Sequence, residues 1–463
     1  MTFENNFVKD VKIAYVGGGS RGWAWTLMND LYKTKDMSGS VYLYDIDYEA
    51  AKNNEIIGNK IDGKAWKYFA SKTIGEALTG ADFVVISILP GTFAEMQSDV
   101  HTPEKYGIYQ SVGDTAGVGG FIRALRTVPM MREIASAVRT YCPNAWVINY
   151  TNPMAVCVGA LYREFPEIKA FGCCHEVFGT QKLLAKALFE ITGIKDAPRN
   201  EINVNVVGVN HFTWFSDARY RNIDLFDTYR AFLDKFYETG YDMSGDSNWM
   251  NNFFLSGERV KLDLFKRYGY IAAAGDRHLA EFMDSTEYLA SPEVVRSWKF
   301  GLTPVKWRVD NLKERLERSE RLLSGEEIYE IQDTGEEGTL QMRALLGLDT
   351  MITNVNIPNV GQIPNLPIGE IVETNAAFTI DSVKPVFAGA VPDSIYHLIS
   401  RASRENELML DGAFSLDLNY AYTCFEKINM LKNLSSEKKR ALYIEMCRAT
   451  KEYLKDYKSE GVL

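Results

Sequence analysis

The sequence predicts an α/β fold: a doubly wound parallel sheet over residues 1–200, then a mixed α/β, largely helical region over 201–463. Three observations lead there. A short apolar strand runs into a glycine loop and a helix at the N-terminal end; later apolar runs have the length and continuity of strands covered on both faces; and those runs end in polar clusters.

Residues 11–16 (Val-Lys-Ile-Ala-Tyr-Val) form the first strand, Gly17-Gly18-Gly19-Ser20 the loop, and Leu27 and Leu31 the inner face of the helix that follows. Glycines there permit a tight turn and close backbone approach to a pyrophosphate, whose charge is met by free N–H groups at the helix N-terminus. A second strand, Val41-Tyr42-Leu43-Tyr44, ends at Asp45, an acid placed to bind ribose hydroxyls and to disfavour a 2′-phosphate, so NAD is preferred over NADP. The first region is therefore read as Rossmann-like, similar to lactate and malate dehydrogenases, with an NAD-binding domain over 1–200 and a metal- and substrate-binding domain over 201–463. Residues 81–89 read as a third buried strand, ending in Pro90-Gly91-Thr92 where cofactors sit. Trp146-Val147-Ile148 leads into Asn149-Tyr150-Thr151-Asn152-Pro153. Asn152 then faces nicotinamide or sugar hydroxyls, or it caps a turn before a helix at 154–163. Segment 220–345 is mainly helical, with Phe226, Phe232, Phe236, Leu312, Leu316 and Leu322 at helical spacing; strands return near 352–390 and helices finish the chain. The aromatic stretch Asn248–Phe254 is read as core, with sugar-site lining or a subunit contact as alternatives.

The 463 residues, 46% of them hydrophobic, can bury one large core or two. A net charge of −10 argues against a nucleic-acid partner. No segment is long and apolar enough to span a bilayer, and residues 1–12 are mixed polar rather than signal-like. Cys142, Cys157, Cys173, Cys174, Cys424 and Cys447 make no secreted disulfide framework, so a cytoplasmic enzyme with reduced thiols is expected.

Cys173-Cys174-His175-Glu176-Val177 puts thiol, imidazole and carboxylate together after a strand at 168–172, and Asn210-His211 follows another at 202–209. Two strand ends can converge on one crevice. Cys174 and His211 then supply thiolate and imidazole to a divalent ion, with positions left for substrate oxygens; buried core cysteine and hydrogen-bonded histidine are the alternative.

Taken in order, Gly17–Ser20, Val112–Thr115 with Gly119–Thr127, Asn149–Pro153, Cys174–Val177, Gly208–His211, Gly275-Asp276-Arg277-His278 and Gly361–Pro367 with Ile371-Val372-Glu373 resemble family-four glycoside hydrolases across most of the chain. Cys-His-Glu-Val resembles the version found in α-galacturonidases. The resemblance implies hydrolysis without the usual carboxylate pair: hydride passes from sugar C3 to NAD, a base takes the C2 proton, the leaving group departs from C1, water adds, and the hydride returns. It implies NAD at Gly17, Gly18, Gly19, Ser20, Asp45, Pro90 and Asp114, and Mn²⁺ or another divalent metal on Cys174 and His211. It further implies Asp276 as base, His175 as acid with Glu176 beside it, and Asn152, Asn210 and Arg277 on the sugar. Arg123 and Arg126 are further candidates for a uronate carboxylate. The expected partner is a small glycoside or oligogalacturonide, and a homodimer or homotetramer is expected by analogy. Same-family alternatives are α-glucosidase, α-glucuronidase and α-galactosidase. A different-class alternative is an NAD-dependent 2-hydroxy-acid dehydrogenase, which Cys174 and His211 disfavour.

Overall fold

A computed structural model describes residues 1–243 and 256–463; the aromatic stretch Asn248–Phe254 lies outside them. Six parallel strands stand in the order Trp66–Ser71, Met37–Tyr44, Phe7–Val16, Phe83–Ile86, Trp146–Asn149, Lys169–Gly172, the arrangement of a classical dinucleotide fold. Alternation along the strands feeds two cores. Ala14, Val16, Val84 and Ile86 pack beneath the helices Gly117–Tyr141 and Met154–Glu164, whereas Ile13, Tyr15, Phe83 and Val85 pack under the helix Trp23–Lys33. Both faces are thus covered, which is why these strands read as unbroken apolar runs.

The third of the sequence-predicted strands is shorter than the apolar run 81–89 suggests. Ser87 N–H still bonds Val16 O, but Ile88 N–H turns to the Thr151 hydroxyl and Pro90 has no N–H to offer, so the chain leaves the sheet after Ile86. The last residues of the run are neither paired nor sealed, and Leu89 is 47% exposed.

Beyond residue 200 the chain does not form a wholly separate body. Met351–Pro358, Ile371–Thr379 and Ser382–Pro385 return as antiparallel strands on the edge at Lys169–Gly172, completing a ten-stranded sheet with the short strand Thr2–Glu4. A second, antiparallel sheet of four strands contains Ile202–Val209 and Phe212–Tyr220, joined by the two residues Asn210 and His211. The Asn375 side chain donates to Val204 O at 2.7 Å, fixing this hairpin beside the extended edge. None of the helices among the described residues is long and apolar enough to cross a membrane.

The loop after Phe83–Ile86 is held from inside by one ion pair. Arg126, on the helix Gly117–Tyr141, grips Asp99 through Nη2 at 2.6 Å and Nη1 at 3.2 Å and donates from Nε to Pro90 O at 3.3 Å. Both side chains are sealed from solvent. Replacing Arg126 by Met strands the Asp99 carboxylate, and urea denaturation is expected to show a loss of about 3–5 kcal/mol.

Candidate active site

The glycine loop is built by close contacts that only hydrogen at Cα allows. Gly17 has φ +98°, and a Cβ there would lie 2.0 Å from Ser87 O. Gly17 and Gly18 N–H both reach Tyr44 O at 2.9 Å, binding the loop to the neighbouring strand end. Gly17, Gly19 and Gly22 keep the spacing G-x-G-x-x-G. Asn54 holds the loop from the next helix: its amide donates to Gly18 O at 2.7 Å and Ser20 O at 3.0 Å and accepts from the Trp25 indole at 2.8 Å.

Asp45 accepts from Gly19 N–H and Asp47 N–H, each at 2.9 Å, so the expected ribose acid sits against the loop. The helix Trp23–Lys33 starts at Gly22 with neither a side-chain cap nor an acidic residue in its first turn. A backbone cradle, an uncapped helix start and an acid at the adjacent strand end are what a dinucleotide requires, so this part of the chain fits NAD.

The second group gathers where Lys169–Gly172 ends and the 202–220 hairpin turns. Glu373, on the strand Ile371–Thr379, accepts from Asn210 Nδ2 at 3.0 Å and Asn354 Nδ2 at 2.6 Å. Asn354 also donates to Cys174 O at 3.2 Å. The Cys174 thiol adjoins Asn210, Glu373 and Glu176; burial and the two carboxylates hold its pKa well above the ordinary thiol value. Cys173 turns away and donates to Gln341 Oε1 at 3.0 Å. His211 stacks on His278 with ring centroids 4.1 Å apart, and burial with that neighbour lowers its pKa to about 3, leaving a neutral imidazole.

Buried atoms without a hydrogen-bond partner gather in this group: Asn210 Oδ1, His211 Nδ1 and His278 Nδ1, with Asn152 Oδ1 at the end of the strand Trp146–Asn149. Unsatisfied acceptors next to a thiol and a neutral imidazole fit a cation and the hydroxyls of a sugar. Among the described residues no cluster of three or more His, Cys, Asp or Glu is arranged to hold a metal, so Cys174 and His211 would leave most coordination positions to other oxygens.

Four charged residues complete the site. Glu176 accepts from Gly275 N–H at 2.8 Å and lies 3.7 Å from His278 Nε2; burial opposes its charge, but His278, His211 and His175 outweigh it and its pKa falls to about 2. His175 stands at the N-cap position of the helix Glu176–Thr192 without a side-chain capping bond, 46% exposed; partial desolvation works against the imidazolium, yet Glu336, 3.3 Å from its Nδ1, lifts the pKa to about 9. Asp114 sits with Arg123, His278, Arg308 and His211, which overcome its burial and keep it ionised; its place is in this group, not at the glycine loop. Arg123 donates to Asn152 O at 3.0 Å.

Asp276 and Arg277 point elsewhere. The Asp276 carboxylate is fully buried and accepts N–H from Val260 and Lys261, each at 3.1 Å, at the start of the helix Arg259–Tyr268. Burial and Glu258 raise its pKa to about 7. Arg277 donates to Ser111 O at 2.6 Å, to Gly301 O at 3.2 Å and to the Thr303 hydroxyl, joining two loops. Sequence reasoning missed the part played by Glu373, Asn354, Glu336, His278 and Arg308. A signal was present for two of them: Thr353-Asn354-Val355-Asn356 and Glu373 put polar side chains into strands that are buried on both faces.

The Family 4 glycosyl hydrolase profile matches residues 12–190, and that family's C-terminal domain matches 206–427. An α-galacturonidase of Thermoanaerobacterium saccharolyticum is 56% identical over 464 residues, covering 99% of each chain. The crystal structure of lplD from Bacillus subtilis superposes with a TM-score of 0.90 at 49% identity, over 95% of this chain and all 100% of that one. A 6-phospho-beta glucosidase from Thermotoga maritima, solved with manganese, NAD⁺ and glucose-6-phosphate, has the same fold at a TM-score of 0.75 and 20% identity, covering 96% of this chain and 99% of that one. On these matches the chain belongs to the Family 4 glycosyl hydrolases.

Proposed function

We propose that this protein is an α-galacturonidase that hydrolyses α-linked galacturonides with the help of NAD⁺ and a divalent metal such as Mn²⁺. The observation that carries the reading is the joining of a glycine-loop crevice to the group Cys174, Asn210, His211 and Glu373, in a chain 56% identical to a protein of that name.

Gly17, Gly18, Gly19 and Ser20 would hold NAD⁺, with Asp45 and Pro90 beside the loop, and Cys174 and His211 would hold the metal. When bound, the cofactor supplies a hydride acceptor for C3 of the sugar and the ion polarises the C2 and C3 oxygens. Everything else falls to the protein. Asn152 and Asn210 offer Oδ1 acceptors to sugar hydroxyls, and Glu373 fixes the Asn210 amide by accepting from its Nδ2, leaving Oδ1 without a partner. His175, positioned by Glu336, is placed to hand a proton to the leaving oxygen at C1. Glu176 lies between His278 and the Gly275 backbone and would orient the imidazole of His278 beside His211, a residue that would hold the metal.

The family resemblance gives the base that removes the C2 proton as Asp276, although its carboxylate here points away from the cysteine–histidine group. Its carboxylate must exchange the Val260 and Lys261 N–H groups for the substrate, and the nearby Glu176 is the rival. Arg123, Arg277 and Arg308 all bear on Asp114 and give the site the positive field a uronate carboxylate needs; Arg126 is consumed by Asp99. We place the enzyme in the cytoplasm, in keeping with six free cysteines.

Three measurements test this reading. Metal-stripped protein is expected to cleave nitrophenyl α-galacturonide only when Mn²⁺ and substoichiometric NAD⁺ are both restored, without accumulation of NADH; activity lacking either requirement sinks it. Nitrophenyl α-glucoside turned over faster than the uronide would remove the substrate assignment. In deuterated water, parent enzyme should exchange the C2 hydrogen, Asp276→Asn should lose about 100-fold or more of that exchange, and Glu176→Gln should keep most of it while binding metal more weakly. The reverse pattern transfers the base role to Glu176.

A further inference from the structure

The helix Val305–Ser324 belongs to the second half of the sequence, yet it is anchored on the nucleotide-binding half. Leu322 packs into the core beneath the glycine-loop helix, and Lys60, from the helix Tyr48–Asp62, donates to Leu322 O at 3.0 Å and Leu323 O at 2.6 Å, tying down its last carbonyls. Arg318 stacks over Trp25 at 5.6 Å, and Val305 packs with Met96 and Val100 at the other end. Between these anchors the helix passes the start of the helix Trp23–Lys33. There a Cβ built on Gly22 would lie 3.0 Å from Arg315 Nη1.

The space above Gly22 is taken by the Arg315 guanidinium. Arg308, two turns earlier on the same face, bears on Asp114 in the reaction centre. Burial and the Arg308 charge both depress the Arg315 pKa.

We infer that Arg315 is a positioning residue for the cofactor, its guanidinium taking the pyrophosphate together with the backbone N–H groups of the glycine loop. The inference rests on the NAD⁺ reading above and adds a consequence to it. A pyrophosphate held by Gly17–Gly22 on one side and Arg315 on the other ties the helix Val305–Ser324 to the nucleotide half, and with it Arg308, whose charge bears on Asp114. Cofactor binding then tightens one wall of the substrate pocket.

The test is direct binding of NAD⁺ and of ADP-ribose to the metal-free full chain by calorimetry, at about 50 mM and about 300 mM salt. Arg315→Gln is expected to weaken both ligands by about tenfold or more, the scale of a lost charge-assisted hydrogen bond, and to flatten the salt dependence, with adenosine binding unchanged. Hydrogen exchange on the parent enzyme provides a readout that needs no variant: residues 305–324 should gain protection when NAD⁺ binds. Affinities of Arg315→Gln within twofold of the parent overturn the inference, as does unchanged exchange in that helix. A parent enzyme that binds neither ligand removes the cofactor reading itself, a result distinct from NAD⁺ binding that ignores Arg315.

Discussion

The site depends on one buried carboxylate. Glu373 lies on a strand added to the edge of the parallel sheet, and it accepts amide protons from Asn210 in the second sheet's hairpin and Asn354 on the neighbouring strand. Through these bonds the Cys174 strand end and the His211 turn, which arise from different sheets, are held side by side. Neutral amides satisfy the lone pairs of a carboxylate but do not cancel its charge, and burial drives the Glu373 pKa up to about 7. A cation between Cys174 and His211 would relieve that burden and the raised thiol pKa together. Assembly of the site and capture of a metal are therefore one electrostatic problem.

The same logic separates the acids. Glu176, surrounded by three imidazoles and a backbone N–H, is held ionised, whereas Asp276 and Glu373 are pushed toward neutrality by burial. Environments that drive neighbouring carboxyl groups apart mark a division of labour: one group fixed as an anion orients its neighbours, and another poised near neutral pH exchanges protons. Asp276 meets the second condition in charge but is occupied by the helix Arg259–Tyr268, so its use as a base requires a local rearrangement of Val260 and Lys261.

What the sequence made legible was what is contiguous. The strand–loop–helix at 7–33, the polar strand ends after residues 149 and 172, and the Asn210–His211 turn were each readable, because chemistry and its scaffold lie within a few residues of one another. Asp276 shows the limit of that reasoning. It stands two residues from His278, but the first turn of a helix sends the two side chains different ways, His278 onto His211 and Asp276 onto the next helix. Arg277 likewise looked free for substrate and is engaged with Ser111, Gly301 and Thr303. Glu373 was visible within a motif, but its partner Asn210 is 163 residues away, and no periodicity encodes such a pairing.

A hydride can pass between cofactor and sugar only by direct contact, so the two crevices must share a wall. Trp23 is the first residue of the helix that follows the glycine loop, and its ring stacks on Tyr150 at 5.4 Å and on His175 at 6.1 Å between centroids. Tyr150 belongs to the strand end that carries Asn152, and His175 adjoins Cys174. A single aromatic side chain therefore joins the start of the glycine-loop helix, the Asn152 loop and the Cys174–His175 turn. Shifting that helix moves a residue that touches both other walls. The packing that shapes the nucleotide crevice thus also sets the position of His175, which explains how a dehydrogenase-type sheet can be turned to glycoside hydrolysis without a second catalytic domain.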